Sequence, residues 1–537
     1  MTTLTVVYLI LVVISQVFIS AIEDAAGIGL DMVMGLTIFA TAGLLLLWAA
    51  WILLLSRWKI WKRLVGCVAI VLLPFAFLTI FRPIHGGDVN VMRFEPIWAR
   101  RPPLESIANP GIDSVDLTVE GEDDFPQFLG PNRNGVIPTN RRLDTEDFEN
   151  GCRIVWKQPI GLGWSGFVVR NGYALTMEQR GDDECVTCYD VETGKLQWSH
   201  AYPARHRDQM NLGRIGPRST PTIHQGRVYA VGAVGHLVCL NGTDGSVVWQ
   251  HDLNELLKIR LDSTTDHVGL SVQYEGNTKL AWGRSGSPLI VDDMVIVPGG
   301  GPDGESRATL LAFDVATGEL RWKNGSHMIA YGSPVLADLA GHRQIVMTCE
   351  SVVAGFDSKT GQELWSFPRP GKSDGDANTS QVTILSDSDV LTSKGYFDGG
   401  GQRIHLEEKD GRVIPSLVWD NPQVLKTKLT SPVIFGDYAY SLSNGFMECA
   451  RLSGGERIWK RRGRFGHGQY VLVGQTILLH SESGELHAIE ATPDEYRELG
   501  TFRTIEGVCW NPVCLSGRRL LVRSEIEAAC IELPMTE

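Results

Sequence analysis

Asp190-Val-Glu-Thr-Gly-Lys-Leu-Gln-Trp198 is the first full copy of a phrase that returns along the chain. It recurs as Asn241-Gly-Thr-Asp-Gly-Ser-Val-Val-Trp249, Asp314-Val-Ala-Thr-Gly-Glu-Leu-Arg-Trp322 and Asp357-Ser-Lys-Thr-Gly-Gln-Glu-Leu-Trp365, and more loosely as Arg451-Leu-Ser-Gly-Gly-Glu-Arg-Ile-Trp459. A strand ends at the acid, the glycine (Gly194, Gly245, Gly318, Gly361, Gly455) turns the chain at positive φ, and a second strand runs to the tryptophan. The large indole at each strand end is expected to dock on the neighbouring unit, a structural use rather than a substrate platform.

Repetition at a spacing of a few tens of residues sets the architecture before any single residue does. Strand-like alternation, as in Arg227-Val-Tyr-Ala-Val, fills the intervals. Unit ends fall at Trp198, Trp249, Trp322, Trp365, Trp419, Trp459 and near Leu499. A last unit, Cys509 to Leu533, lacks a terminal tryptophan. The early strand Cys152-Arg-Ile-Val-Trp-Lys-Gln158 supplies one at Trp156, which would close the ring without a free edge. The reading is an all-β propeller of eight blades, with seven as the alternative count.

Three apolar runs open the chain, about Leu4–Ala21, Met32–Ser56 and Leu64–Phe81, each long enough to span a bilayer as a helix. Arg57, Lys59, Lys62 and Arg63 between the second and third place that loop in the cytoplasm, whereas Glu23, Asp24 and Asp31 lie between the first and second. The amino terminus is then cytoplasmic and the propeller extracytoplasmic, on a bacterial inner membrane. Trp48, Trp51, Trp58 and Trp61 suit interfacial anchoring. The domain reading is 1–81 as a three-helix membrane anchor, 82–124 as an extended linker and 125–537 as the propeller. The segment Phe125–Gly135 is expected to pack on the propeller surface.

The chain has 537 residues and a formal charge of -13, so it lacks the basic field a general nucleic-acid binder needs. Its ten cysteines are scattered. Cys185 and Cys188 form a lone CxxC with no second pair, and read as strand residues, with a labile disulfide as the lesser alternative. Whether Cys509 and Cys514 pair is left open.

These repeats resemble the pyrroloquinoline-quinone-type (PQQ-type) propeller family, shared by quinoprotein alcohol dehydrogenases and the B-subunit lipoprotein of the outer-membrane β-barrel assembly machinery. The resemblance covers Phe125 to Leu533 and implies the fold, not an activity. The small-residue-Pro signatures Ser219-Thr-Pro, Gly286-Ser-Pro, Gly332-Ser-Pro and Thr430-Ser-Pro mark the starts of inner strands. Aligning all blades on them puts Trp164, Arg218, Arg284, Tyr331, Asn378, Lys428, His467 and Trp510 around the channel mouth. Such a ring suits an anionic or planar ligand, or a polar channel whose groups satisfy one another.

Two long connections, Ser199–Pro217 and Gln250–Gly283, emerge on the mouth face and read as a lid or partner-binding rim. They bring His206, Arg207, Asp208, Arg214, Asp262, Asp266 and His267, of which His206, Asp262, Asp266 and His267 make an undiagnostic metal set. The resemblance to the dehydrogenases implies PQQ, Ca²⁺ and a general-base Asp, yet the chain has no adjacent cysteine pair and no acid at the aligned mouth positions. The leading expectation is therefore a scaffold without a cofactor, which binds a protein through its loop face, by loop contacts or β-augmentation, in envelope protein assembly. A PQQ-dependent dehydrogenase of alcohols or sugars and a sugar- or anion-sensing module are the alternatives.

Overall fold

The structure is a computed structural model that describes residues 2–17, 30–85, 87, 92–99, 104, 115–208, 213–265, 270–275, 280–461 and 463–536. Two compact units divide the chain at residue 102. The first holds helices Thr2–Val17, Leu30–Leu54 and Ile60–Ile80, then a hairpin pairing Phe81–His85 with Met92–Pro96. Among the described residues two helices are long and apolar enough to cross a membrane, Leu36–Leu54 and Ile60–Ile80. The first apolar run forms a helix of 16 residues, and the rest of that run lies outside the described residues.

The second unit is an eight-bladed propeller. Blades 1 to 7 each take four consecutive antiparallel strands, beginning at Val168, Thr222, Leu289, Val335, Thr383, Val433 and Gln469. Blade 8 takes three strands from Cys514 to Glu532, and its outermost strand is Arg153–Pro159, paired with Glu527–Glu532. The ring therefore closes through an early strand, as the position of Trp156 required.

The tryptophans hold neighbouring blades in a repeated way. A Cβ added to Gly194 would lie 2.7 Å from the Trp156 ring, and one on Gly318 would lie 2.6 Å from Trp249. Gly245 meets Trp198, Gly361 meets Trp322 and Gly455 meets Trp419 in the same manner. The repeat glycine thus does two things: it takes positive φ, and it offers a bare face on which the preceding blade's indole lies. The indole N–H then donates to the next blade's turn: Trp156 to Val191 O at 2.7 Å, Trp198 to Gly242 O at 2.9 Å, Trp249 to Val315 O at 3.2 Å and Trp419 to Leu452 O at 2.7 Å. Trp459 reaches Thr492 O at 2.9 Å. Trp365 departs from the pattern, because the turn it faces is the long Lys409–Arg412 hairpin; it donates to Gln344 of its own blade at 2.6 Å.

Register explains the cysteines. Opposite most staple tryptophans the residue is small: Cys188 faces Trp198, Cys239 faces Trp249, Ala312 faces Trp322, Gly355 faces Trp365, Cys449 faces Trp459 and Cys530 faces Trp156, whereas Arg403 faces Trp419. All ten cysteines are free. Cys185 and Cys188 are buried strand residues three apart, hence on opposite faces of the sheet.

Two expectations about the approach to the propeller are corrected. Residues 115–124 are not tether: Val115 and Leu117 are buried in the core of blades 1 and 2. Arg170 there binds Glu120 at 2.7 Å and Asp124 at 3.4 Å. The segment from Phe125 onward does not lie on the outer surface either. It crosses the channel, bridging Val169 of blade 1, hydrogen bonding Ile223 of blade 2, and pairing Val136–Ile137 in parallel with the inner strand of blade 7. At its centre the Arg133 guanidinium donates to Pro334 O at 2.8 Å, Pro288 O at 2.9 Å and Ser287 O at 2.7 Å, while Gln381 donates to Arg133 O at 2.5 Å. Inner-strand carbonyls have no partner within their own blade on the channel side, so a five-donor cation suits the axis. Burial pushes the Arg133 pKa down to about 9.

Candidate functional site

Inner strands run away from the mouth, so the residues just before them sit at its rim, where the aligned set was placed. Trp164, Trp510 and His467 come together. The two indoles lie 4.7 Å apart between centroids, tilted by 31°, and His467 meets Trp510 edge-on at 5.3 Å. Trp510 donates to the buried Glu482 at 2.7 Å, and the same carboxylate accepts the His467 N–H at 3.0 Å.

Trp164 and Arg218 converge on one carbonyl, Gly213 O, at 2.6 and 2.8 Å. Arg218 also donates to Gly216 O at 2.6 Å, and burial lowers its pKa against the opposing pull of Asp208. Arg284 is buried, bonded to Pro298 O and Gly299 O, with its guanidinium 6.0 Å from the Tyr274 ring centre. Tyr331 donates to Ser373 O. Asn378 donates to Cys349 O, Glu350 O and Arg369 O at 2.9–3.2 Å. Lys428 lies over Tyr396 at 5.6 Å. Most of the ring is therefore tied to backbone carbonyls and to its own rings, and its members do not converge on one point.

The fit to a quinone follows from these distances. A planar ring held between two aromatic faces needs about 3.5 Å of clearance on each side, roughly 7 Å in all. Trp164 and Trp510 are too close to each other for that. Among the described residues no group of three His, Cys, Asp or Glu side chains is placed to hold a metal ion. Asp266 and His267 of the imagined metal set lie outside the described residues. The side chains present do not fit PQQ with Ca²⁺ between the two indoles.

The described residues of the long connections include regular structure. Gln250–Gly283 continues as strand to Asp252, turns into helix Leu253–Leu257 capped by the Asp252 side chain on Asn254 N, and then forms a hairpin pairing Leu261–Thr265 with Leu270–Tyr274. From the other connection, Arg214 forms an ion pair with Glu525 of blade 8, and Arg205 binds Asp182 at 2.9 Å. Buried beneath this rim, Glu184 is pushed up to about 7 by burial, against hydrogen bonds from Tyr202 at 3.0 Å and Ala233 N at 3.1 Å. Deeper in the channel, beside Arg133, a cavity of about 210 Å³ is lined by Asn132, Val335, Gln381 and Thr383.

A group on the mouth side of blades 5 to 7 went unread in the sequence: Phe397, Lys426, Lys460, Arg461 and Arg464, the last three from the run Lys460-Arg-Arg-Gly-Arg464, of which Arg462 lies outside the described residues. The signal was there, four bases in five residues of an acidic chain, but a whole-chain charge averages it away.

Comparison with known proteins agrees with this architecture. No curated protein matches the chain. Among solved structures, BamB from Moraxella catarrhalis is 14% identical, with a TM-score of 0.47, 71% of this chain and 100% of that one covered. Quinohemoprotein alcohol dehydrogenase from Comamonas testosteroni is 11% identical (TM-score 0.52, 76% and 80% covered). ADHIIG, a quinohemoprotein alcohol dehydrogenase from Pseudomonas putida HK5, is 11% identical (TM-score 0.54, 79% and 84% covered). At such identities the likeness is one of fold. The sequence model of the family described as outer membrane protein assembly factor BamB matches residues 147–304 and 270–494, well over half of the chain, and the protein belongs to that family.

Proposed function

We propose that the chain is a membrane-tethered, extracytoplasmic scaffold that binds protein through the mouth face of its propeller and serves envelope or outer-membrane protein assembly. The observation that carries this reading is the state of the mouth. Its arginines, tyrosine and asparagine bond backbone carbonyls, and its two indoles stack on each other. Groups spent in this way stiffen a surface; they do not wait for a small substrate. Helix Leu253–Leu257 and the paired strands Leu261–Thr265 and Leu270–Tyr274 enlarge the same face. The apolar helices would tether it to the inner membrane, with the amino terminus in the cytoplasm as the basic loop at Arg57–Arg63 requires.

The test is a titration of the full chain, in neutral-lipid nanodiscs, with PQQ and Ca²⁺. The scaffold reading expects no saturable quinone spectrum and no dye reduction with alcohols or sugars. Stoichiometric binding with turnover would replace it by the dehydrogenase reading.

A further inference from the structure

Arg133, at the centre of the channel, differs from three other buried arginines of the propeller. Arg523 lies in the field of Glu178, Arg369 in that of Asp420 and Asp376, and Arg218 in that of Asp208 and Glu184. Arg133, 2% exposed, forms no ion pair with a described carboxylate, and burial alone depresses its pKa. Its three carbonyl partners and Gln127 Oε1, at 3.3 Å, take four of its five N–H groups. They solvate the guanidinium but leave its positive charge whole, and a buried charge without a counter-charge is costly.

The cavity of about 210 Å³ beside it follows the inner strands of blades 4 and 5, away from the mouth. The buried Arg133 and Gln381 line it, and the exposed Asn132, Asn134 and Asp338 mark where it opens. Gln381 is 4% exposed. Its amide nitrogen donates to Arg133 O at 2.5 Å, which makes Oε1 the other end of the amide, and Oε1 has no hydrogen-bond partner. A buried acceptor without a donor costs its full desolvation. Much of the remaining wall is apolar, with Leu129, Val335, Leu336, Val382 and Ile384. Asp338 is the only acid on it. It stands four residues along the strand from Pro334, whose carbonyl holds the guanidinium, a separation of roughly 13 Å at about 3.3 Å per residue. The charge of Arg133 is therefore not met by Asp338, which lies in water at the open end.

We infer that this cavity is a binding site for a small carboxylate with an N–H or O–H donor on the adjacent carbon and an apolar tail, the make-up of an apolar α-amino acid or α-hydroxy acid. The carboxylate supplies the charge that Arg133 lacks, the donor meets Gln381 Oε1, and the tail lies along the apolar wall. Size agrees with this class. A cavity of about 150 Å³ holds benzene, so one of about 210 Å³ takes roughly eight or nine heavy atoms, as many as leucine has. A tricyclic quinone is well beyond it. The site lies deeper in the channel than the paired indoles, and it stands whether or not the mouth binds protein.

The test is isothermal titration of the full chain, in neutral-lipid nanodiscs, with four probes. They are L-leucine, its α-hydroxy counterpart 2-hydroxy-4-methylpentanoate, the donor-free 4-methylpentanoate and the carboxylate-free 3-methylbutylamine. L-Leucine, the hydroxy acid or both are expected to bind saturably at one site per chain, and the tighter of the two identifies the class. Each of the other two should bind at least about tenfold more weakly. Gln381→Met should cost the better probe about tenfold and leave 4-methylpentanoate unchanged, a split that a merely structural role for the amide would not produce. Asn132→Phe, at the exposed opening, should abolish binding at an unchanged urea midpoint. Saturable binding of neither acid overturns the proposal and leaves a cavity for water alone. Equal binding of 4-methylpentanoate or of 3-methylbutylamine overturns it as well, and so does full binding by both variants.

Discussion

Replacing Gly194 by alanine tests the Trp–Gly staple at the seam where the ring closes. The new Cβ would fall 2.7, 3.0 and 3.1 Å from Cδ2, Cε3 and Cε2 of Trp156, three atoms of a rigid ring that cannot yield singly. Two costs arise. Alanine at φ +69° carries a backbone penalty of about 1 kcal/mol. Overpacking against the indole adds about 1–3 kcal/mol. Gly172, in the same blade at φ +77° with nothing within 4 Å of its added Cβ, carries the first cost alone. Gly172→Ala is therefore expected to lose about 1 kcal/mol and Gly194→Ala about 2–4. Urea unfolding of the full chain in mild detergent, followed by tryptophan fluorescence, reads both. Truncating the ring in Trp156→Ala should abolish the difference between the two glycines. An equal loss for Gly194→Ala in the Trp156→Ala background and in the wild type would refute the staple and leave the glycine a turn residue only.

Further outcomes follow from buried groups. Arg133→Met strands three channel carbonyls and is expected to cost about 2–5 kcal/mol in the same assay, the desolvation of the guanidinium offsetting part of the loss. The Glu184 carboxyl, pushed up from 4.5 to about 7, holds its proton more tightly folded than unfolded. Its contribution is complete below about pH 4.5 and is lost as pH rises through 7, about 3 kcal/mol in all; Glu184→Gln should flatten that limb of the stability curve. His480, buried against Thr504 at 2.8 Å and pushed down to about 3, works in the opposite sense. Its contribution is present above about pH 6.5 and falls away toward pH 3, so His480→Gln should soften the acid limb. Nine of the ten cysteines are buried, so a thiol reagent should modify at most Cys67 in the native protein and all ten after unfolding.

The repeat made the blades legible because each copy carries its own turn and its own docking residue, and Trp156 standing ahead of the first repeat announced how the ring closes. What stayed hidden depends on register or on contacts far apart in sequence. That cysteines stand opposite the staple tryptophans needs the pairing of the third and fourth strands, bulge included. Trp365 turning to Gln344 depends on a hairpin that begins more than forty residues later. Phe125–Ile137 carries turn formers and short apolar anchors whether it lies outside the ring or across it. Only the three-carbonyl cradle of Arg133 distinguishes the two. At the mouth, side-chain type did not say that the donors at the aligned positions would be consumed by carbonyls. Nor did it say that Trp164 and Trp510 would stack on each other.

The most direct measurement is site-specific photo-crosslinking in living cells, with the probe at Leu429 on the mouth face and, as the control, at Lys359 on the opposite face. A scaffold that works through its mouth yields a discrete adduct with an envelope protein from position 429 and none from 359. Equal yields from both positions, or adducts from 359 alone, would contradict the account.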